Sequence, residues 1–164
     1  MSPSTSRRGV LVLAGSLIAL GVTGCGAGIP RDAQGTLRRA TGGTLRVGAS
    51  QNPPWVDITA DGAVDGSEAE LIEGFAATID ARIEWIPGAE SVLARTMEDD
   101  GLDVIIGGLT SDTPFSAQIS PTRPYATVQA PDGSTLKRVL GVRPGENALQ
   151  VALERYLARA SGDL

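Results

Sequence analysis

The apolar residues of the chain recur with two periods, one typical of strands and the other of helices. Leu45 and Val47 alternate with polar or small residues in the segment 44–49, which predicts a first core strand. In the segment 67–79 the apolar residues lie three and four positions apart. This spacing predicts a helix with one apolar face, formed by Leu71, Ile72, Phe75, Ala76 and Ile79. Strand and helix patterns therefore alternate along the chain.

A buried central strand is predicted further along the chain. A second strand at 82–86 and a second helix at 90–98 precede the unbroken apolar run 104–106, which Gly107 and Gly108 close. Strand, helix, strand, helix and strand make two right-handed crossovers, so an α/β fold with a mainly parallel sheet is expected. Open sheets of this kind bind small ligands where their strands end. The polar turn after the two glycines is therefore the candidate site.

The last third of the chain predicts an antiparallel hairpin followed by a helix. Residues 126–129 and 136–142 read as strands, and the turn residues 130–133 connect them. The segment after Pro144 has an apolar face at helical spacing, formed by Leu149, Leu153, Tyr156 and Leu157.

The ends of the two central helices carry recognisable signals. Ser67 and Glu70 match a capping box at the start of the first helix. Nearby acids, Asp65 and Glu68 among them, are interpreted as favouring the helix start before they are considered as ligand contacts. Gly101 is expected to terminate the second helix, whose inward face is predicted to be Val92, Leu93 and Met97.

Composition excludes most kinds of catalytic site. The chain has 164 residues, no histidine and one cysteine, so imidazole or thiolate metal clusters and histidine-based triads each lack a component. The net charge of −5 argues against nucleic acid, which requires a basic face. A protein that is not an enzyme and needs no cofactor is therefore expected.

The N-terminus predicts export. Arg7 and Arg8 precede an apolar run that is too short to span a bilayer comfortably, so residues 1–24 read as a signal peptide. The segment Val22-Thr23-Gly24-Cys25 resembles a bacterial lipobox, which implies a lipidated Cys25 and anchoring to the outer face of the cell membrane. A lone buried cysteine is the alternative, and both Sec and twin-arginine export stay open. Residues 25–43 are expected to form a flexible tether, and 44–164 a single lobe.

Three segments together suggest a family. Leu45-Arg46-Val47-Gly48, Pro53-Pro54-Trp55 and the stretch 103–125 resemble, in that order, motifs of the bacterial extracellular solute-binding proteins of family 3. Proteins of this family bind polar amino acids and feed ABC importers. The resemblance covers about residues 44–157. It implies a periplasmic-binding-protein-like lobe, a small-molecule ligand, and an ABC-type permease or other membrane transporter as partner.

Two departures from the family pattern bear on function. The arginine that would bind the ligand's α-carboxylate aligns with Phe115, and a phenyl ring cannot replace a guanidinium. Arg123 lies near in sequence as a possible substitute. The hairpin at 126–142 stands where a second lobe would be inserted, so a single lobe with the second lobe absent is expected.

The candidate ligand contacts follow from the resemblance: Trp55, Gly108, Leu109, Thr110, Asp112, Thr113 and Phe115. Trp55 could equally cover the core of its own domain. Two functions stay open at this point. One is a lipid-anchored solute-binding protein with altered ligand capture, which uses a dimer mate or membrane protein as its second wall. The other is a single-lobe interaction or regulatory lipoprotein that binds a protein partner rather than a free solute.

Overall fold

The computed structural model describes residues 30–162, so the predicted signal peptide and Cys25 lie outside the described residues. The predicted α/β fold is confirmed. In chain order the helices are α1 (Thr36–Ala40), α2 (Ser67–Thr78), α3 (Glu90–Glu98) and α4 (Asn147–Ala160). The strands are β1 (Thr44–Ala49), β2 (Asp57–Ile58), β3 (Val64–Asp65), β4 (Arg82–Pro87), β5 (Val104–Ile106), β6 (Ser120–Pro121), β7 (Ala126–Gln129), β8 (Thr135–Arg138) and β9 (Gly141–Val142).

The main sheet has five strands in the order β4-β1-β5-β9-β6. Its first three strands are parallel, with Val47 of β1 facing Trp85 of β4 and Val104 of β5. The strand β9 pairs antiparallel with β5, and β6 pairs antiparallel with β9. Because β9 runs against β5, the amino end of β9 lies at the same edge as the carboxyl ends of β1 and β5. Residues just before β9 therefore reach the edge where a ligand is expected.

The sheet separates two apolar clusters. Val104 and Ile106 of β5 point into one cluster, where they meet Phe75 of α2 and Leu153 of α4. Ile105 points into the other cluster, with Leu93 and Met97 of α3. The central strand is thus buried on both faces, as its unbroken apolar run predicts. Each buried side chain of this size contributes about 1.5–3 kcal/mol to the stability of the sheet.

Three local predictions about the helices are wrong. The cap of α2 is Gly66 at φ 109°, without a side-chain hydrogen bond, and Ser67 is the first helical residue. A Cβ at position 66 would lie 2.5 Å from the carbonyl oxygen of Trp55, so close packing requires glycine there. Val92 of α3 is 57% exposed rather than inward. The left-handed residue after α3 is Asp100, at φ 60°, and Gly101 follows it.

The predicted flexible tether needs correction in its second half, because residues 36–40 form α1 and pack on the lobe. Thr36 and Ala40 are buried. The Asp32 carboxylate accepts hydrogen bonds from the N–H groups of Leu37 (2.6 Å) and Leu149 (2.9 Å), and so joins the first turns of α1 and α4. The contact between Asp32 and Leu149 spans 117 residues of sequence, which explains why composition alone indicated a tether.

A buried ionic cluster fixes the opposite edge of the sheet. The fully buried Asp103 carboxylate lies 2.6 Å from Arg39, 2.7 Å from Arg46 and 2.9 Å from Arg143. Burial alone would raise the pKa of Asp103, but hydrogen bonds from Arg46 and Arg39 outweigh it and hold the pKa below its ordinary value. Arg39 belongs to α1, so this cluster also ties the N-terminal segment to β1 and β5.

The predicted antiparallel hairpin is confirmed as β7 and β8, with Ala126 opposite Arg138. Its base is closed by a 3.0 Å hydrogen bond from the Tyr125 N–H to the Arg138 carbonyl. The hairpin carries the chain directly from the end of the candidate site back to β9.

Candidate functional site

The candidate site is built at the carboxyl ends of β1 and β5. The Ser50 N–H donates to the carbonyl of Ile106 at 2.9 Å, which extends the pairing of the two strands by one step. Beyond it, the Asn52 side-chain amide donates to the Gly107 carbonyl at 2.8 Å. A short loop closed by mutual hydrogen bonds of Asn52 and Val56 then presents Trp55, which is half-buried. The loop contains a cis peptide between Pro53 and Pro54.

Glu68, in the first turn of α2, connects the helix to this edge. Its fully buried carboxylate accepts hydrogen bonds from the N–H groups of Gly107 (2.8 Å) and Gly108 (2.9 Å), and from the Tyr125 hydroxyl. Burial raises the pKa of Glu68 and outweighs the opposing effect of these donors. Burial, with the adjacent carboxylate, also raises the pKa of the Tyr125 hydroxyl, which therefore remains a donor.

Arg138, the last residue of β8, places a cation on the same edge. Its guanidinium carbon lies 4.7 Å from the centroid of the Trp55 ring, in cation–π geometry. Its Nη1 donates to the carbonyl of Gly108. The Arg138 backbone also forms an isolated antiparallel bridge with Thr110. Three predicted ligand contacts, Trp55, Gly108 and Thr110, therefore surround one arginine that the sequence reading did not select.

The sequence matches the family model of the bacterial extracellular solute-binding proteins, family 3, over residues 45–163. The chain belongs to this family. No curated protein matches the chain significantly.

Solved structures of low sequence identity share the fold of this family 3 protein. The arginine-bound form of domain 1 from TmArgBP, in a single-substitution mutant, has 22% identity and a TM-score of 0.65. The match covers 77% of this chain and 98% of that one. A periplasmic binding protein of high arginine specificity from Salmonella typhimurium has 11% identity and a TM-score of 0.62, covering 73% and 93%. A lysine-complexed binding component of an ABC transporter from Wolinella succinogenes has 12% identity and a TM-score of 0.63, covering 73% and 91%.

The other predicted contacts of this solute-binding protein divide into exposed and buried positions. Thr110 is half-buried and Asp112 is exposed, and a hydrogen bond with the Thr110 side chain lowers the pKa of Asp112. Phe115 is half-buried and packs on the cluster beneath α3. Leu109 and Thr113 are buried, so the structure does not bring their side chains to the open face.

Sequence reasoning did not select Tyr125 and Arg138 as parts of this edge, and it interpreted Glu68 as a helix-start residue first and a ligand contact second. Arg138 lies in a strand without any motif. Arg123, the substitute cation considered from the sequence, is exposed and lies 3.5 Å from Glu154 of α4. The cation that reaches the site is therefore Arg138.

The described part of the chain lacks two further features, a metal-binding cluster and a membrane-spanning helix. Residues 30–162 contain no group of three acidic, histidine or cysteine side chains placed to hold a metal ion. Among the helices in that range, none combines the length and apolar character needed to cross a membrane.

Gly108→Ala is expected to destabilise the protein more than an alanine at another left-handed glycine. Gly108 has φ 68°, and an added Cβ would lie 2.9 Å from Trp55 Cδ1. Gly133, at φ 83°, has nothing within 4 Å of an added Cβ, so Gly133→Ala carries the backbone cost alone. That cost is about 1–2 kcal/mol, and crowding adds about 1–3 kcal/mol at Gly108. Urea unfolding of both variants measures the difference, and equal losses would contradict close packing at this edge.

Proposed function

We propose that this family 3 protein is an exported lipoprotein, anchored at Cys25, that binds an amino acid weakly and delivers it to an ABC-type permease. Supporting this, two residues chosen separately from the sequence, Trp55 and Gly108, lie side by side at the sheet edge that holds ligands in open α/β folds. This juxtaposition is the observation that carries the proposal.

The weak affinity follows from the shape and chemistry of the edge. Small-ligand affinity depends on burial and on convergent polar groups, and residues 30–162 offer one open face rather than a closed cleft. Position 115, where the resemblance places a carboxylate-binding arginine, holds a phenyl ring packed on the lobe's own core. A single domain is nevertheless a reasonable receptor, since domain 1 of TmArgBP is described in an arginine-bound form.

The proposal includes no catalytic step. Glu68, the buried acid of the edge, already accepts hydrogen bonds from Gly107, Gly108 and Tyr125. Because the Glu68 side chain is also fully buried, its carboxylate does not reach a solute on the open face. The edge therefore supports binding and release rather than proton chemistry.

A thermal-shift screen of the full chain, extracted in detergent, tests solute binding. The panel consists of the common L-amino acids, added singly at millimolar concentration. A ligand that binds only the folded state adds RT ln(1 + [L]/Kd), about 2.7 kcal/mol at a hundredfold excess over Kd. We expect one chemical class of amino acid to raise the unfolding midpoint. A well-folded sample that responds to none of them would contradict solute capture and favour a protein partner.

Cys25→Ser is expected to release the protein from the membrane. Lipid is attached through the cysteine sulfur, so serine at this position leaves no site for the anchor. Fractionation of cells that express each form measures the distribution of the chain. The native chain should sediment with membranes and the variant should appear in the soluble fraction. A processed variant that stays in the membrane fraction would contradict anchoring at Cys25.

A further inference from the structure

Arg138 differs from the other shielded arginines of the lobe in its lack of a counter-ion. Within residues 30–162, three arginines are not classed as exposed: Arg46, Arg138 and Arg143. Arg46 and Arg143 both form salt bridges with Asp103. Among the described residues, no carboxylate lies within salt-bridge distance of Arg138. A shielded guanidinium normally requires a paired anion, because removing its hydration is costly.

The hydrogen bonds of Arg138 are also incomplete. A guanidinium has five N–H donors, and the only side-chain bond of Arg138 among the described residues runs from Nη1 to Gly108. Its Nε is buried and has no acceptor. Arg143 has an unpaired Nε as well, but its two Nη atoms make four hydrogen bonds, to Gln34, Thr36, Asp100 and Asp103. Among the described residues, the guanidinium of Arg138 thus makes one hydrogen bond, whereas that of Arg143 makes four.

The nearest buried acid does not fill this role. Glu68 is close enough to interact electrostatically with Arg138, yet the two form no salt bridge. Its carboxylate is occupied by the backbone amides of Gly107 and Gly108 and by the Tyr125 hydroxyl. Apart from the Gly108 carbonyl, the guanidinium of Arg138 therefore has no hydrogen-bond acceptor among the described residues.

The guanidinium is held in a defined position before any ligand arrives. The Trp55 ring lies against it at 4.7 Å, and the Gly108 carbonyl holds Nη1. The Arg138 backbone is fixed by its pairing with Ala126 and by the N–H of Tyr125. A planar fork fixed in this way suits a carboxylate, which accepts two parallel hydrogen bonds, and the ordering of the side chain costs little on binding.

We propose that Arg138 binds the carboxylate of the solute, and that β8 supplies this cation in place of an arginine at position 115. The inference deepens the proposed function and rests on it. The ligand class is an amino acid whose carboxylate meets the free side of the guanidinium, beside the Trp55 ring and the half-buried Thr110. Arg138 is then the residue that selects acids over their amides.

Calorimetry with paired probes tests this assignment on the full chain. The probes are L-arginine, L-lysine, L-glutamate and L-glutamine, each compared with its α-amide, in which a neutral carboxamide replaces the carboxylate. Arg138→Met removes the charge at similar length, and Arg138→Lys keeps the charge without the planar fork. Lys137→Met is the matched control, since Lys137 is the exposed neighbour of Arg138 on the same strand.

The expected result is selective. The native chain should bind the acid of at least one pair more tightly than its amide. Arg138→Met should weaken binding of that acid about 10- to 100-fold and remove the preference over the amide. The affinity of Arg138→Lys for the acid should lie between those of the native chain and Arg138→Met. Lys137→Met should bind the acid as tightly as the native chain does. Circular dichroism establishes that each variant is folded, and Arg138→Lys decides the question if Arg138→Met does not fold.

Three other results would overturn the inference. Unchanged binding in a folded Arg138→Met, with the acid preference intact, would remove Arg138 from recognition while the solute-binding function stands; the same result in Arg138→Lys would reject recognition through the planar fork. Tighter binding in Arg138→Met would show that Arg138 occupies the site as an obstacle. Failure of the native chain to bind any probe or any amino acid of the thermal-shift panel would instead reject the proposed function itself, and the inference with it.

Discussion

Asp103→Asn is expected to lower the free energy of unfolding by about 3–5 kcal/mol, the usual cost of removing one partner from a buried ionic cluster. The substitution keeps the shape of the side chain but removes the charge that Arg39, Arg46 and Arg143 share. The loss of the paired anion is most costly for Arg143, because its side chain is only 6% exposed. Urea unfolding should show a lower midpoint with an unchanged slope, because the exposed surface on unfolding is the same.

Asp99→Asn is the matched control for this variant. Asp99 lies four residues away, is exposed, and should tolerate the change with little effect.

A second test of the role of Asp103 uses the pH dependence of stability. Because the pKa of Asp103 lies below its ordinary value of 3.8, its stabilising contribution is present above that value and is lost as pH falls through the folded-state pKa. Native and Asp103→Asn proteins should therefore converge in stability in acid. A constant difference down to the lowest accessible pH would contradict the ionic role of Asp103.

The order of strands and helices was predictable because it depends on local periodicity. The apolar run 104–106 followed by two glycines gave a central strand, and the structure buries all three residues. The helix predicted at 90–98 has those same bounds, because its inward Leu93 and Met97 follow helical spacing. The hairpin formed by β7 and β8 followed from a turn between two strand patterns. These features require only neighbouring residues to be read correctly.

The errors arise where distant residues decide a local feature. Ser67 matches a capping pattern, but close packing against the Trp55 carbonyl makes Gly66 the cap. The segment before β1 looked like a tether because its partners, Glu146 and Leu149 among them, lie at the far end of the chain. Arg138 contacts Gly108 across 30 residues of sequence. Periodicity contains no information about such contacts.

The charged groups at the amino end of β5 are paired differently from those at its carboxyl end. At the amino end of β5, one carboxylate is surrounded by three arginines, and every charge has a partner. At its carboxyl end, Glu68 is held by uncharged donors, and no carboxylate in residues 30–162 forms a salt bridge with Arg138. The first arrangement stabilises the lobe and the second leaves a cation available. We propose that this asymmetry reflects a structural role for one edge and a binding role for the other.

Glu68→Ala is expected to lower the free energy of unfolding by about 2–5 kcal/mol, because it leaves two backbone amides and the Tyr125 hydroxyl without their acceptor in the protein interior. Glu68→Gln keeps an oxygen for the amides of Gly107 and Gly108 and should lose less than half as much. Glu70→Ala, an exposed change in the same helical turn, is the control. Urea unfolding measures all three, and equal stability of the two Glu68 variants would contradict the acceptor role.

The pH dependence of the same variants separates the charge of Glu68 from its hydrogen bonds. Burial raises the pKa of Glu68 above its ordinary value of 4.5, so the folded state holds this proton more tightly than the unfolded chain. Its contribution to stability is therefore fully present below 4.5 and is lost as pH rises through the folded-state pKa. Glutamine does not titrate, so the advantage of the native protein over Glu68→Gln should shrink as pH rises from about 4 to about 8. An advantage that grows over this range would mean that the amides and Tyr125 stabilise the charged carboxylate more than burial destabilises it. Either slope identifies the force that positions Gly107 and Gly108, and with them the edge where we propose that Arg138 binds the solute.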